Sequence, residues 1–167
     1  MIVENAYATP GWESFFVAEA GAAAALAGLL FVAVSINLDR ILSIDGLSGR
    51  AAEALLILFC VIAVCSLGLV PGQAPKSLGL EISSISALTY LYVLFAQLRV
   101  VRPPGKKLFW TVTRVVSSSL GLLPLAVGGV STVLRAGGGL YWLAPGVILS
   151  FGAALLDAWV LLIEIQR

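Results

Sequence analysis

The sequence predicts an all-α polytopic membrane protein with five transmembrane helices, its N-terminus outside and its C-terminus in the cytoplasm. Of its 167 residues, 60% are hydrophobic and 11% are charged, and the mean hydropathy is +1.04. A chain of this composition cannot cover its surface with polar groups and stay in water. Its apolar residues form five runs, each close to the roughly 20 residues that cross a hydrocarbon core. Residues 1–167 are therefore expected to form a single transmembrane domain.

Short joints rich in glycine, proline and charged residues separate the runs, so consecutive helices are expected to be neighbours. The predicted helices comprise residues 14–38, 51–70, 78–98, 108–134 and 140–165.

The positions of lysine and arginine predict the orientation. Eight of the ten basic residues flank the first and third joints or close the chain, whereas Lys76 and Arg135 alone lie at the second and fourth. Basic residues near helix ends are retained on the cytoplasmic side, which places the N-terminus outside.

Residues 1–10 contain no lysine or arginine. They lack the basic region of a secretory signal peptide, so the first helix is expected to be retained.

One stripe of the first helix carries polar groups and leucines. The stripe includes Glu19, Leu26, Leu30 and Asn37. At 100° per residue, the eighteen residues between Glu19 and Asn37 return to the same angle. Around the axis of a homo-oligomer, the stripe would form a cation pathway with a carboxylate ring, a leucine constriction and an asparagine ring. Alternatively, Glu19 is hydrated near the outer interface or paired with Arg135 or Lys76, and Asn37 caps the helix.

The opposite face of the first helix carries small residues. Its members include Gly21, Ala25, Gly28 and Ser35. Small residues let helix backbones approach closely in a membrane, where helices gain no hydrophobic drive to associate. This face is therefore predicted to pack against protein.

Charged residues inside the other spans are also candidates for function. Arg114 in the fourth helix and Asp157 in the fifth have similar predicted depths, so we expect a buried ion pair. It would be a structural clamp or a gating or proton-linked pair. In the second helix, Arg50 and Glu53 are three residues apart and are expected to pair locally.

The fourth helix contains Ser117, Ser118 and Ser119 followed by Pro124. Proline removes a backbone hydrogen bond, so a kink is expected near Pro124. Carbonyls freed there would line a wet cavity or an ion site, or the segment simply packs tightly.

Several classes of function are disfavoured by the sequence. It has no histidine, no phosphate-binding glycine loop and no cysteine cluster, so we expect no enzyme activity, no metal and no cofactor. The basic residues form no long patch for nucleic acid. Cys60 and Cys65 lie inside the second span and are expected to be packing residues.

Three segments carry a resemblance to known proteins. They are EAGAAAALAGLLFVAVSINLDRIL at 19–42, RAAEALL at 50–56 and LVPGQ at 69–73. These residues resemble a group of small bacterial multi-pass membrane proteins, some of them loosely labelled as modulators of a membrane protease. The resemblance implies a bacterial plasma (inner) membrane, and it transfers no catalytic or ligand residue.

The leading functional hypothesis is a homo-oligomeric ion channel or sensing element in the lipid bilayer, with Glu19 and Asn37 on its polar path. Ser117 to Ser119 are further candidates for that path. The rival hypothesis is a regulatory or assembly subunit that binds another membrane protein through the small-residue face. A third is a transporter of lipids or small molecules with a midplane cavity near Pro124.

Overall fold

A computed structural model describes residues 6–44, 46–99 and 108–166, and in these ranges the regular structure is helical, without strands. Five of the helices are long and apolar enough to cross a membrane. The helices are α1 (Glu13–Ile36), α2 (Leu38–Ser43), α3 (Leu47–Gly68), α4 (Pro75–Arg99), α5 (Leu108–Leu134) and α6 (Leu143–Gln166), with a 3-10 turn at Gly139–Trp142 before α6.

The ends of these helices follow from local chemistry. Asn37 ends α1, and its side-chain Nδ2 donates to the Ala33 carbonyl at 2.9 Å. Helix α3 begins directly after Gly46, whose φ of 85° is easy for glycine. Helix α4 begins at Pro75, where the missing N–H costs nothing because the first turn has no partner for it.

Helices α3 to α6 form a four-helix bundle. Neighbours along the chain contact each other, as the short joints predict, and α6 closes the ring by packing against α3. Helix α1 lies outside this ring and contacts mainly α3. As a result, only 6% of the apolar window of α1 is buried, against 56% for α3.

Glycines bring α4 and α5 into close contact. A Cβ atom added to Gly129 would lie 2.5 Å from the backbone nitrogen of Ser83, and one added to Gly79 would lie 2.7 Å from the Gly129 carbonyl oxygen. Helix α5 continues through Pro124. The serine- and glycine-rich part of α5 thus packs tightly against its neighbour, and the kink at Pro124 stays a prediction.

The segment before α1 is tied to the turn before α6. The Leu140 amide donates to the Ala6 carbonyl at 2.7 Å, and the Gly138 amide donates to the Tyr7 hydroxyl at 3.4 Å. Gly138 and Gly139 both have positive φ, which lets the turn approach this segment. These contacts tie the segment before α1 to the bundle.

Candidate functional site

Each helix of the bundle contributes a polar side chain to one buried layer. We call Arg50, Glu53, Gln97, Arg114, Ser118 and Asp157 the polar layer. The last five are at most 8% exposed, and the Arg50 side chain is 11% exposed. Glu53 and Arg114 each lie six residues inside their helix, about 9 Å from its start. The layer therefore lies inside the bundle near the end where α3 begins.

Glu53 and Arg114 form an ion pair across the bundle. Helices α3 and α5 occupy opposite corners of the ring, and the long arginine side chain spans the space between them. Arg114 Nε donates to Glu53 Oε2 at 2.5 Å, and its terminal Nη2 pairs with the same oxygen. An ionised carboxylate buried in this way is costly unless a cation or hydrogen-bond donors compensate its charge.

Gln97 extends this pair to α4. Its Nε2 donates to Glu53 Oε1 and, at 3.1 Å, to the Ser118 hydroxyl oxygen. The Ser118 hydroxyl donates in turn to the Arg114 carbonyl at 3.1 Å. Both carboxylate oxygens of Glu53 thus accept hydrogen bonds from other helices.

A second ion pair links α3 to α6. Arg50 Nη1 lies 3.3 Å from Asp157 Oδ1. With two arginines and two carboxylates, the polar layer has a formal charge of zero. Its ion pairs connect α3 to both α5 and α6.

The predicted ion pairs are corrected by this geometry. Arg114 and Asp157 are both buried at the expected end and their charges attract each other, but the salt bridge of Arg114 is with Glu53 and that of Asp157 is with Arg50. The salt bridges of the described residues also do not include the expected local pair of Arg50 with Glu53. Both residues lie on the inner side of α3. Arg50 faces the Asp157 carboxylate of α6, and Glu53 faces the Arg114 guanidinium of α5.

Sequence reasoning missed Gln97 and gave Ser118 no partner. Gln97 is uncharged, so a search for charges inside spans passes over it. The feature that could have indicated Gln97 is its position, because it places a polar amide inside α4, two residues before the helix ends. Ser117 and Ser119 bond to their own helix backbone, at 3.0 and 2.6 Å, and Tyr90 lies 3.2 Å from the Ser119 hydroxyl.

The stripe of Glu19, Leu26, Leu30 and Asn37 lies on the side of α1 that faces the bundle. Ala23 and Leu30 are buried there, whereas Glu19, Leu26 and Asn37 are half-buried. In the described part of the chain, Glu19 has no ion pair, and so none with Lys76 or Arg135. Asn37 caps α1, as the second interpretation of the stripe expects.

The small-residue face points away from the bundle. Gly21, Ala25, Gly28 and Ser35 are exposed, and a Cβ atom added to Gly21 or Gly28 would meet no atom within 4 Å. Within this chain, α1 therefore packs through the opposite side. Contact of the small-residue face with another protein stays a prediction.

No protein-family model, curated protein or solved structure matches this chain. The described residues contain no group of three or more histidine, cysteine, aspartate or glutamate side chains placed to hold a metal ion. The five apolar helices suggest a multi-pass membrane protein.

Proposed function

We propose that this protein is a membrane-embedded assembly or regulatory subunit, which acts by binding another membrane protein laterally through α1. The observation that carries this proposal is the position of α1. It packs on one side of α3, outside the four-helix bundle, and leaves its small-residue face exposed.

The chemistry of that face suits a helix partner. We call Gly21, Ala25, Gly28 and Ser35 the α1 outer face. Lipid tails are as apolar as leucine, so membrane helices associate where small residues permit close packing. The open space around Gly21 and Gly28 would admit the backbone of a second helix. No rearrangement of the bundle is needed for this contact.

The polar layer supports the same proposal indirectly. Each of its carboxylates is already paired with an arginine. The layer therefore has no net charge to attract a permeating ion, and its best role is to hold the bundle together while α1 is presented to a partner.

The environment we propose is the plasma membrane of a bacterium, with the N-terminus outside. The distribution of basic residues supports this orientation. It places the polar layer in the cytoplasmic half of the membrane.

A homo-oligomeric channel is the second candidate, favoured by Glu19. This carboxylate lies in a candidate span and is half-buried, without an ion pair in the described part of the chain. Its stripe faces α3, so a pathway along it would require α1 to separate from α3 or to rotate. Conductance in a planar bilayer tests this candidate: a current that Glu19→Gln alters would favour the channel over the subunit.

Photo-crosslinking in native membranes tests the leading proposal. A photoreactive amino acid at Ala25 should give a protein adduct of one defined mass, and Gly28→Leu should abolish it by filling the contact. The matched control is a photoreactive residue at Gly152, an exposed glycine of α6 with open space around it. It should give lipid adducts only. Lipid adducts alone at Ala25 would contradict the proposal, and the adduct mass tells a second copy from a different protein.

A further inference from the structure

We propose that α4 binds one anionic phospholipid, with an acyl chain in a groove on its outward side and the phosphate at Arg99. The groove is shallow and wide open on its outer side, with a volume of about 550 Å³. It is lined by Leu88, Leu91, Tyr92, Leu94, Phe95 and Leu98.

The groove opens to the surroundings of the bundle. Its lining residues belong to α4 alone, and those among them that are large and exposed have between 52% and 68% of their surface accessible. Helix α4 contacts α3 and α5 through its other side, where Gln97 enters the polar layer. In a membrane, this apolar face is therefore covered by hydrocarbon chains.

The positively charged side chain of Arg99 lies at one end of the groove. Arg99 is the last residue of α4, and its guanidinium carbon lies 4.0 Å from the centroid of the Phe95 ring. This contact holds the positive charge over a residue that lines the groove. The guanidinium group still offers its N–H donors in the plane, which suits the paired oxygens of a phosphate.

The spacing fits a phospholipid. Leu88 and Arg99 are eleven residues apart, about 16 Å along the helix. Arg99 lies at the end of a candidate span, where headgroups are found, and the groove extends from there toward the middle of the span. A lipid with a net negative headgroup is favoured because a zwitterionic one brings a cation next to Arg99.

Native mass spectrometry of the protein released from nanodiscs tests this inference. The nanodiscs contain phosphatidylcholine mixed with phosphatidylglycerol, and the measurement is the ratio of the two lipids that stay bound. Arg99→Gln should lower retained phosphatidylglycerol about fivefold, the effect of one basic residue at a membrane surface. Leu91→Trp should lower it by filling the groove. The control, Arg40→Gln, removes an exposed arginine at the same end of the molecule and should leave the ratio unchanged.

Equal retention of the two lipids by the wild type would overturn the inference. So would unchanged binding in Arg99→Gln, or an equal loss in Arg40→Gln, which would indicate attraction by overall surface charge. The outcome is independent of the α1 outer face, because the groove lies on a different helix.

Discussion

Replacing Arg114 by methionine should destabilise the protein strongly. The substitution keeps most of the side-chain length but removes both donors that Arg114 offers to Glu53 Oε2. Glu53 is 4% exposed, so water cannot replace them without opening the bundle. Breaking a buried ion pair from one side costs about 3–5 kcal/mol. Gln97 still donates to the other carboxylate oxygen, which favours the lower half of that range.

A double variant distinguishes two costs: the loss of the attraction between Glu53 and Arg114, and the burial of one charge without its partner. Glu53→Leu together with Arg114→Met removes both charges, and a buried pair replaced by apolar residues of similar size is often neutral in stability. We therefore expect the double variant to regain most of the loss. Glu53→Leu alone should cost less than Arg114→Met, because Arg114 lies about 9 Å from the start of α5 and can extend toward headgroups.

The assay is denaturant unfolding in detergent micelles, followed by the fluorescence of the four tryptophans. Arg40→Met is the control, since it removes an exposed arginine at the same end. A loss below about 1 kcal/mol in Arg114→Met, the size typical of a surface pair, would refute the reasoning. A double variant no more stable than Arg114→Met would also refute it.

Gly129→Leu should lower the melting temperature in detergent, with overpacking costing about 1–3 kcal/mol or more, because its Cβ would lie 2.5 Å from the α4 backbone. Gly152→Leu, with open space around it, should melt like the wild type. Gly139→Ala should release the N-terminal segment, since its Cβ would collide with the Ala6 carbonyl oxygen; added protease should then cleave that segment faster, and an unchanged rate would count against the contact. Tags on the two termini should be accessible from opposite sides of the membrane, and access to both from one side would contradict five crossings.

The helices could be predicted well from the sequence, because hydropathy and helix length record the thickness of the bilayer. The fourth predicted helix, 108–134, has the bounds of α5, and the first differs from α1 by one or two residues. The second and third begin earlier than predicted, at Leu47 and Pro75. Their first turns are polar or contain proline, so hydropathy excludes them although a helix accommodates both.

The partners within the polar layer could not be predicted. Arg50 and Glu53 have the spacing of a local pair, and no single-helix rule shows that both face inward. Their partners depend on which helices lie next to α3 and which lies diagonally across the ring. Those relations are set by close packing at positions such as Gly129. The burial of Arg114 and Asp157 was predictable, whereas their pairing required the arrangement of the whole bundle.

Substitutions in the polar layer should therefore change folding stability, whereas substitutions in the α1 outer face should change partner binding alone. The charges of the layer are compensated within the bundle, so a change there affects folding first. Helix α1 lies outside the ring, and a Cβ atom added to Gly28 would meet no atom within 4 Å. Gly28→Leu should not lower the free energy of unfolding by more than about 0.5 kcal/mol, the range of ordinary surface substitutions, while it abolishes the crosslink at Ala25. If Gly28→Leu instead unfolded the protein as Arg114→Met does, α1 would be part of the core and could not serve as a docking helix.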